Sequence, residues 1–169
     1  MKRSAQILAA AFLGIAGHAS AFEDAGPLEW RTHINERYGF SVFASERRSE
    51  TGDGEAFIGV RGHGRLLMGA FENADGLSLE GYRSLIRKQS YSQFEVSCAP
   101  RGQTWFVLSG ENADSVFYEK VIFSCQGRII NSFALVYPLA SKNAFDPIVE
   151  GIEKSFRAGQ ECRVHAGRR

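Results

Sequence analysis

Apolar and polar residues alternate through most of the chain after Trp30, with the period of two that is typical of β-strands. Clusters of glycine, proline, asparagine and aspartate separate the alternating runs and indicate turns. The pattern predicts strands over residues 38–43, 56–60, 66–71, 94–99, 104–110, 116–125 and 128–137. The last four runs are separated by short turns, so they predict an antiparallel meander.

Two segments have helical periodicity instead. The first is predicted to begin at Leu79, because the hydroxyl of Ser78 can accept one of the unpaired backbone N–H groups at a helix start. The second covers residues 144–157, where apolar side chains recur at i, i+3, i+4, i+7 and i+11 from Phe145 and so share one helical face. Pro147 is expected in the first turn of this helix, where proline is tolerated.

The strands predicted at 116–125 and 128–137 are apolar on both faces. A strand of this kind is normally covered on both sides, and the two helices are the elements available to cover it. The sequence therefore predicts an α+β fold, with an antiparallel, meander-rich β-sheet flanked by helices.

The N-terminus has the three parts of a secretory signal peptide. Lys2 and Arg3 supply positive charge, residues 7–17 are almost entirely apolar, and small residues end in an A-x-A pattern at Ala21. The apolar run is shorter than the roughly 20 residues that a membrane-spanning helix needs. We expect residues 1–21 to be a signal peptide that is cleaved after Ala21, which predicts a periplasmic or extracellular protein.

The remaining chain divides into a flexible leader at 22–29, one domain at 30–160 and a polar tail at 161–169. Loss of the two basic residues of the signal changes the formal charge from +1 to about −1. A nearly neutral domain has no bulk attraction for nucleic acid or anionic lipid, so we expect no nucleic-acid partner. The cleaved chain has no second long apolar segment, so we expect no membrane insertion.

Several stretches of the domain carry a resemblance to a known group of proteins. They are W-R-T-H-I-N-E-R-Y-G-F-S-V from Trp30 to Val42, the turn and following phenylalanine from Gly52 to Phe57, W-F-V-L-S-G from Trp105 to Gly110 and F-Y-E-K-V-I-F-S-C from Phe117 to Cys125. With these motifs the chain resembles small exported bacterial proteins with a PsbP-like fold, a group without a common assigned function. The resemblance implies an α/β/α sandwich that serves in binding or assembly, and it brings no catalytic residues. Phe43-Ala44 stands where similar proteins often have Tyr-Pro, so the exit of that strand is expected to differ.

No familiar catalytic or ligand-binding motif is present in the sequence. H-E-x-x-H, C-x-x-C, G-x-S-x-G and the spaced acidic residues of a calcium loop are all missing. We therefore assign no catalytic, cofactor-binding or metal-ligating residues, and we expect no cofactor. The leading hypothesis is a non-catalytic exported domain that acts through protein or ligand contacts.

Two rival hypotheses remain open at this point. One is a small hydrolase or other enzyme with a site assembled from three dispersed residues, Cys125, His33 and Glu119. The other is a small-molecule binder with an aromatic cleft built from Trp30, Trp105 and Tyr118. The sequence leaves open both a protein partner in the cell envelope and a small-molecule ligand.

Charged residues in two places require an interpretation. Glu119 and Lys120 are neighbours in a predicted strand, so their side chains should point to opposite faces of the sheet. Either side chain is expected to be an edge or snorkelling charge, and the alternative is a buried ionic group that lines a cleft. The polar run 31–37 predicts a solvated loop, or otherwise a loop that binds a partner.

The chain has three cysteines after cleavage, Cys98, Cys125 and Cys162. If two of them form a disulfide in an oxidising compartment, the third remains as a free thiol or pairs with another chain. The last helix must run back across the sheet and should end near Cys125, so Cys162 just beyond it can reach that residue. The strand at 104–110 should lie between the strands that carry Cys98 and Cys125, about two strand spacings or 9–10 Å apart. We expect a Cys125–Cys162 disulfide with Cys98 free, while a Cys98–Cys125 bond and no bond remain the alternatives.

Overall fold

A computed structural model describes residues 30–35, 38–45, 48–51, 55–60, 64–159 and 162. The expected signal peptide and leader lie outside the described residues, as does the expected tail apart from Cys162. The strands are β1 Trp30–Ile34, β2 Ser41–Ser45, β3 Arg48–Thr51, β4 Glu55–Val60, β5 Gly64–Glu72, β6 Glu95–Cys98, β7 Trp105–Glu111, β8 Ser115–Ser124 and β9 Ile129–Pro138. The helices are α1 Leu79–Gln89 and α2 Lys142–Ser155, and a 3₁₀ turn at Leu139–Ser141 leads into α2.

The main sheet has seven antiparallel strands in the order β3-β4-β5-β9-β8-β7-β6, and β1 and β2 form a separate antiparallel pair. The predicted meander is confirmed as β6 to β9. A second meander, β3 to β5, joins it through pairing of β5 with β9. The chain crosses between the two meanders through α1, which places the short strand β6 at an edge of the sheet.

The two faces of the sheet are covered by different elements. On one face α1 buries Tyr82 and Ile86 in a core with Phe106, Phe117 and Val121. On the other face, α2 and the β1–β2 pair bury a second core that includes Val42, Phe133, Phe145, Val149 and Ile152. Every residue of β9 from Ile129 to Leu135 is buried, as its apolar character on both faces predicted. The predicted α+β class is confirmed.

The start of α1 is also where the sequence predicted it. The Ser78 hydroxyl accepts a hydrogen bond from the Gly81 backbone N–H at 3.0 Å, which satisfies one N–H of the first turn. Arg87 and Lys88 lie in the last turn, where positive charge interacts favourably with the helix dipole.

The strands β1, β2 and β3 differ from the sequence-based expectation. Residues 31–34 of the polar run are not a loop, because they pair with β2 as strand β1. The strand predicted at 38–43 begins only at Ser41, because Asn35 accepts a hydrogen bond from the Tyr38 N–H at 2.8 Å and Gly39 turns the chain at φ +69°. The short, polar strand β3 was not predicted at all.

The second helix begins earlier than residue 144. The 3₁₀ turn before it lets the chain become helical from Lys142, so Pro147 lies inside α2 rather than in its first turn. Proline lacks the backbone N–H, so α2 lacks the hydrogen bond that this position would donate.

Candidate binding groove

A groove of about 270 Å³ lies on the α2 face of the sheet, between α2 and the outer strands. It arises because the sheet continues for two strands beyond β8, so β7 and β6 lie beside α2 rather than beneath it. The sheet contributes Ser97, Ser109, Glu111, Val116, Tyr118 and Tyr137, and the helix contributes Lys142, Asp146, Val149, Glu150 and Glu153.

Strand β6, which has an irregular register, forms the outer wall of this groove. The register of β6 against β7 shifts between Val96 and Cys98, which is the effect of a β-bulge. Bulges re-aim side chains at sheet edges, and here Ser97 lines the groove. The β6 backbone also lies very close to β7 at Gly110, because a Cβ at that position would meet the carbonyl oxygen of Glu95.

Two tyrosines on the floor of the groove donate hydrogen bonds to two carboxylates of α2. The Tyr137 hydroxyl lies 3.3 Å from Oδ1 of Asp146, which also binds the Lys142 ammonium at 2.9 Å. The Tyr118 hydroxyl donates to Glu153. The two acidic residues are seven positions apart and so share one face of the helix. These contacts hold the polar face of α2 against the sheet.

The carboxylate of Glu153 is held in its charged form. Burial raises its pKa, but hydrogen bonds from Tyr118 and Lys120 and the charges of Lys120 and Lys154 outweigh burial and lower the pKa below its usual value. Burial, followed by interaction with Glu153, raises the pKa of Tyr118. Burial, followed by the charge of Asp146, raises the pKa of Tyr137. The groove therefore presents neutral phenols beside an ionised carboxylate at neutral pH.

These protonation states favour contacts over proton transfer. A general acid or base works best when its pKa is close to the operating pH. The pKa of Glu153 lies below that range, and the pKa values of both tyrosines lie above it. The arrangement is suited to hydrogen bonding with a partner and to attraction of positive charge.

The structure does not bring together the three residues of the enzyme hypothesis. Cys125 is bonded to Cys162 and so has no free thiol. Glu119 is buried in the layer beneath α1. His33 pairs with Val42, which belongs to the core on the opposite face of the sheet. The sheet therefore separates Glu119 from His33, and the disulfide removes the thiol of Cys125.

The aromatic residues of the binder hypothesis are brought together in part. Trp105 and Tyr118 lie on the α2 face of neighbouring strands, with Lys120 between them in the register. The Lys120 ammonium is 5.7 Å from the centre of the Trp105 ring, a cation–π distance. Tyr118 lines the groove. Trp30 begins β1, and its side chain lies outside the described part of the structure.

Glu119 and Lys120 point to opposite faces, as their adjacency in a strand predicted. Lys120 faces α2 and forms an ion pair with Glu153 at 3.1 Å. Glu119 is only 5% exposed, so the expectation of an edge or snorkelling charge was wrong for this residue. It does not line the groove either, because its side chain points to the α1 face of the sheet, as does its neighbour Leu108, and the groove lies on the α2 face.

The structure contains the expected Cys125–Cys162 disulfide, with a Cα–Cα distance of 5.2 Å. Cys98 is a free, exposed cysteine on β6, and β7 separates its strand from β8 as expected. The bond lies at the end of β8 away from the groove, which is next to residues 116–118.

Sequence reasoning missed most residues of the groove. A signal existed in α2, where the three acidic residues Asp146, Glu150 and Glu153 recur at helical spacing beside the apolar face. No comparable signal marks Ser97, Ser109 and Glu111, because the bulge and the pairing of β6 with β7 bring them to the same place.

Neither a membrane-spanning helix nor a metal centre is found in the described part of the chain. No helix among these residues is long and apolar enough to cross a membrane. The same residues contain no group of three histidine, cysteine or acidic side chains arranged to hold a metal ion.

Comparison with known proteins identifies the fold. No protein-family model matches the chain, and no curated protein matches it significantly. The Ran-binding protein Mog1p of Saccharomyces cerevisiae is similar in structure, with a TM-score of 0.56 and 11% identity over 79% of this chain and 97% of that one. Cyanobacterial PsbP (CyanoP) from Synechocystis sp. PCC 6803 has a TM-score of 0.58 and 11% identity over 86% of this chain and 98% of that one. The chain therefore has the α+β fold found in PsbP and Mog1, as its motifs implied.

Proposed function

We propose that the chain is an exported, non-catalytic binding domain that contacts a protein partner through the groove beside α2. The observation that carries the proposal is the groove itself, where hydroxyl groups and acidic side chains, among them the ionised Glu153, converge beside an edge strand. Polar rims around tyrosine side chains are typical of protein-binding surfaces. The Ran-binding protein Mog1p supplies one precedent for partner binding on this fold.

The size of the groove favours part of a protein over a whole small molecule. Sites that enclose drug-sized ligands usually measure about 300–1,000 Å³ and are mainly apolar. This groove is smaller, at about 270 Å³, and carries four acidic side chains. It is suited to one or two side chains of an exposed segment on a partner.

A photo-crosslinking experiment in cells tests this function. A benzoylphenylalanine placed at Ser109, which is half-buried in the groove, should give a discrete covalent adduct with one partner. The same group at Asp75, an exposed turn position outside the groove, is the matched control and should not give that adduct. Glu111→Lys should weaken the Ser109 adduct because it reverses one charge of the rim.

Identical patterns at both positions would contradict the proposal. A panel of hydrolase and oxidoreductase activity assays on the purified protein tests the rival hypothesis of an enzyme. Turnover that Tyr118→Phe or Glu153→Gln abolishes would favour an enzyme with its site in the same groove.

The exported location is part of the same proposal. It rests on the signal-peptide pattern of residues 1–21, and the Cys125–Cys162 disulfide is compatible with an oxidising compartment. N-terminal sequencing of the protein recovered from cells should begin at Phe22. A protein that retains Lys2 and Arg3 would contradict export by cleavage.

A further inference from the structure

Glu119 is a buried carboxyl group without a cationic partner among the described residues. It lies on β8 in the layer beneath α1 and accepts a hydrogen bond from the Ser132 hydroxyl of β9 at 2.7 Å. It also accepts one from the hydroxyl of Tyr91, which follows α1. Its neighbour in β7 by register is Leu108, so the sheet brings no compensating charge.

The other polar groups of this layer cannot neutralise an ionised Glu119. From α1, Tyr82 faces it with a hydroxyl that is buried and makes no hydrogen bond to the described residues. Arg83 of α1 binds Glu80 at 3.2 Å and the Ala99 carbonyl at 3.4 Å, and its Nε is buried without a hydrogen-bond partner among the described residues. A buried carboxylate without an ion pair is costly, so the fold favours the protonated group.

Tyr91 connects this carboxyl group to the chain that leads into the groove. Its ring stacks on Phe117 with 3.9 Å between centroids, and Phe94 packs against both rings. The next residue, Glu95, begins β6. Residues 90–94 therefore attach the edge strand to the sheet through Tyr91, and β6 in turn carries Ser97 into the groove.

We propose that Glu119 is a pH-dependent switch, which holds residues 90–94 and β6 against the sheet when protonated and loosens them when it ionises. An ionised Glu119 is stabilised by hydration. Water can reach it most easily through the least stable of the elements that cover it. Strands β8 and β9 are hydrogen-bonded on both sides, whereas β6 is short, bulged and paired on one side only. Local opening occurs in elements of this kind.

The direction of the pH effect follows from the environment. Burial raises the pKa of Glu119 and outweighs the opposing hydrogen bonds from Tyr91 and Ser132. The contribution of Glu119 to the stability of the closed state is then complete below the ordinary glutamate pKa of about 4.3. This contribution is lost progressively as pH rises through the raised pKa. Within that window, opening of residues 90–98 should increase about tenfold for each pH unit and then level off.

Two measurements on the full chain test the switch. Carbon-13 NMR gives the titration midpoint of the Glu119 carboxyl group, which should lie above the ordinary value. Amide hydrogen exchange, corrected for intrinsic rates between about pH 4 and pH 9, gives the opening of residues 90–98. Glu119→Gln should make that opening independent of pH, whereas Glu150→Gln, which changes an exposed groove carboxylate, should retain the wild-type profile.

An ordinary midpoint for Glu119, or an unchanged pH profile in Glu119→Gln, would overturn the switch. If the variant does not fold, the wild-type midpoint and the pH at which opening levels off must still coincide, and disagreement between them has the same consequence. The switch does not rest on the proposed function. Failure of the Ser109 crosslink would remove that function and leave the switch standing.

Discussion

Lys120 of β8 and Glu153 of α2 form an ion pair with 3.1 Å between Nζ and Oε1, at side-chain exposures of 19% and 35%. The lysine ammonium also lies over the Trp105 ring, and the carboxylate accepts a hydrogen bond from Tyr118. Four side chains from β7, β8 and α2 thus converge at one end of the groove. This convergence fixes the position of the helix relative to the outer strands.

A double-mutant cycle measures the strength of that ion pair. Lys120→Met and Glu153→Gln should show a coupling energy of about 1 kcal/mol, the upper end for partly exposed pairs. The i,i+4 pair Lys154–Glu150 is the matched control, because it is 77% and 68% exposed. Its coupling should be roughly 0.3 kcal/mol. Equal couplings in urea unfolding would mean that the partial burial of the first pair has no energetic consequence.

Glu119 should give the whole protein a pH-dependent stability opposite in sign to that of Glu153. The pKa of Glu119 is raised in the fold by burial, so its contribution is complete below the unfolded pKa and is lost as pH rises to the folded value. The lowered pKa of Glu153 gives a contribution that is present at neutral pH and lost in acid. Urea unfolding of Glu119→Gln should therefore show a smaller loss of stability than wild type when pH is raised from acid to neutral. A constant difference between the two proteins would contradict this assignment.

Local pattern was enough to predict the meander and both helices. Strand β9 was recognisable because its residues are apolar on both faces, and α1 because Ser78 precedes a helical period. The polar strands β1 and β3 escaped prediction because their stability comes from partners, not from an apolar face of their own. The pairing of β5 with β9 also depends on contacts far apart in the chain.

The groove could not be predicted for a related reason. Because side chains alternate along a strand, the sequence placed Glu119 and Lys120 on opposite faces of the sheet. It did not show which of the two side chains would lie beneath α1. That depends on where each helix crosses the sheet. The position of Ser97 depends on a one-residue bulge, which alternation of apolar residues does not record.

Loss of the Cys125–Cys162 disulfide should destabilise the protein strongly. The bond joins residues 37 positions apart, and the chain-entropy model gives about 4 kcal/mol for a loop of this size. Replacement of both cysteines by alanine should reduce the free energy of unfolding by nearly that amount in urea titrations. Cys98→Ala is the control and should have little effect, since Cys98 is exposed and unbonded. Non-reducing peptide mapping that links Cys98 to Cys125 would contradict the pairing itself.

Two glycine substitutions should have opposite effects on stability. A Cβ at Gly110 would fall on the carbonyl oxygen of Glu95, a backbone atom that cannot rotate away, so Gly110→Ala must displace β6 from β7. Overpacking of this kind costs about 1–3 kcal/mol. Gly151 lies exposed inside α2, where an added methyl group would meet nothing within 4 Å and φ is not positive. Gly151→Ala should therefore stabilise the protein by about 0.5–1 kcal/mol.

Urea unfolding measures both free energies, and amide exchange of residues 95–98 reports whether the Gly110→Ala loss is located in β6. Faster exchange there, with an unchanged profile in Gly151→Ala, is the expected result. A Gly110→Ala protein as stable as wild type would show that the close approach of β6 to β7 is not required. Strand β6 could then shift relative to β7 without loss of stability, so the close contact at Gly110 would not explain why Ser97 lies at the groove.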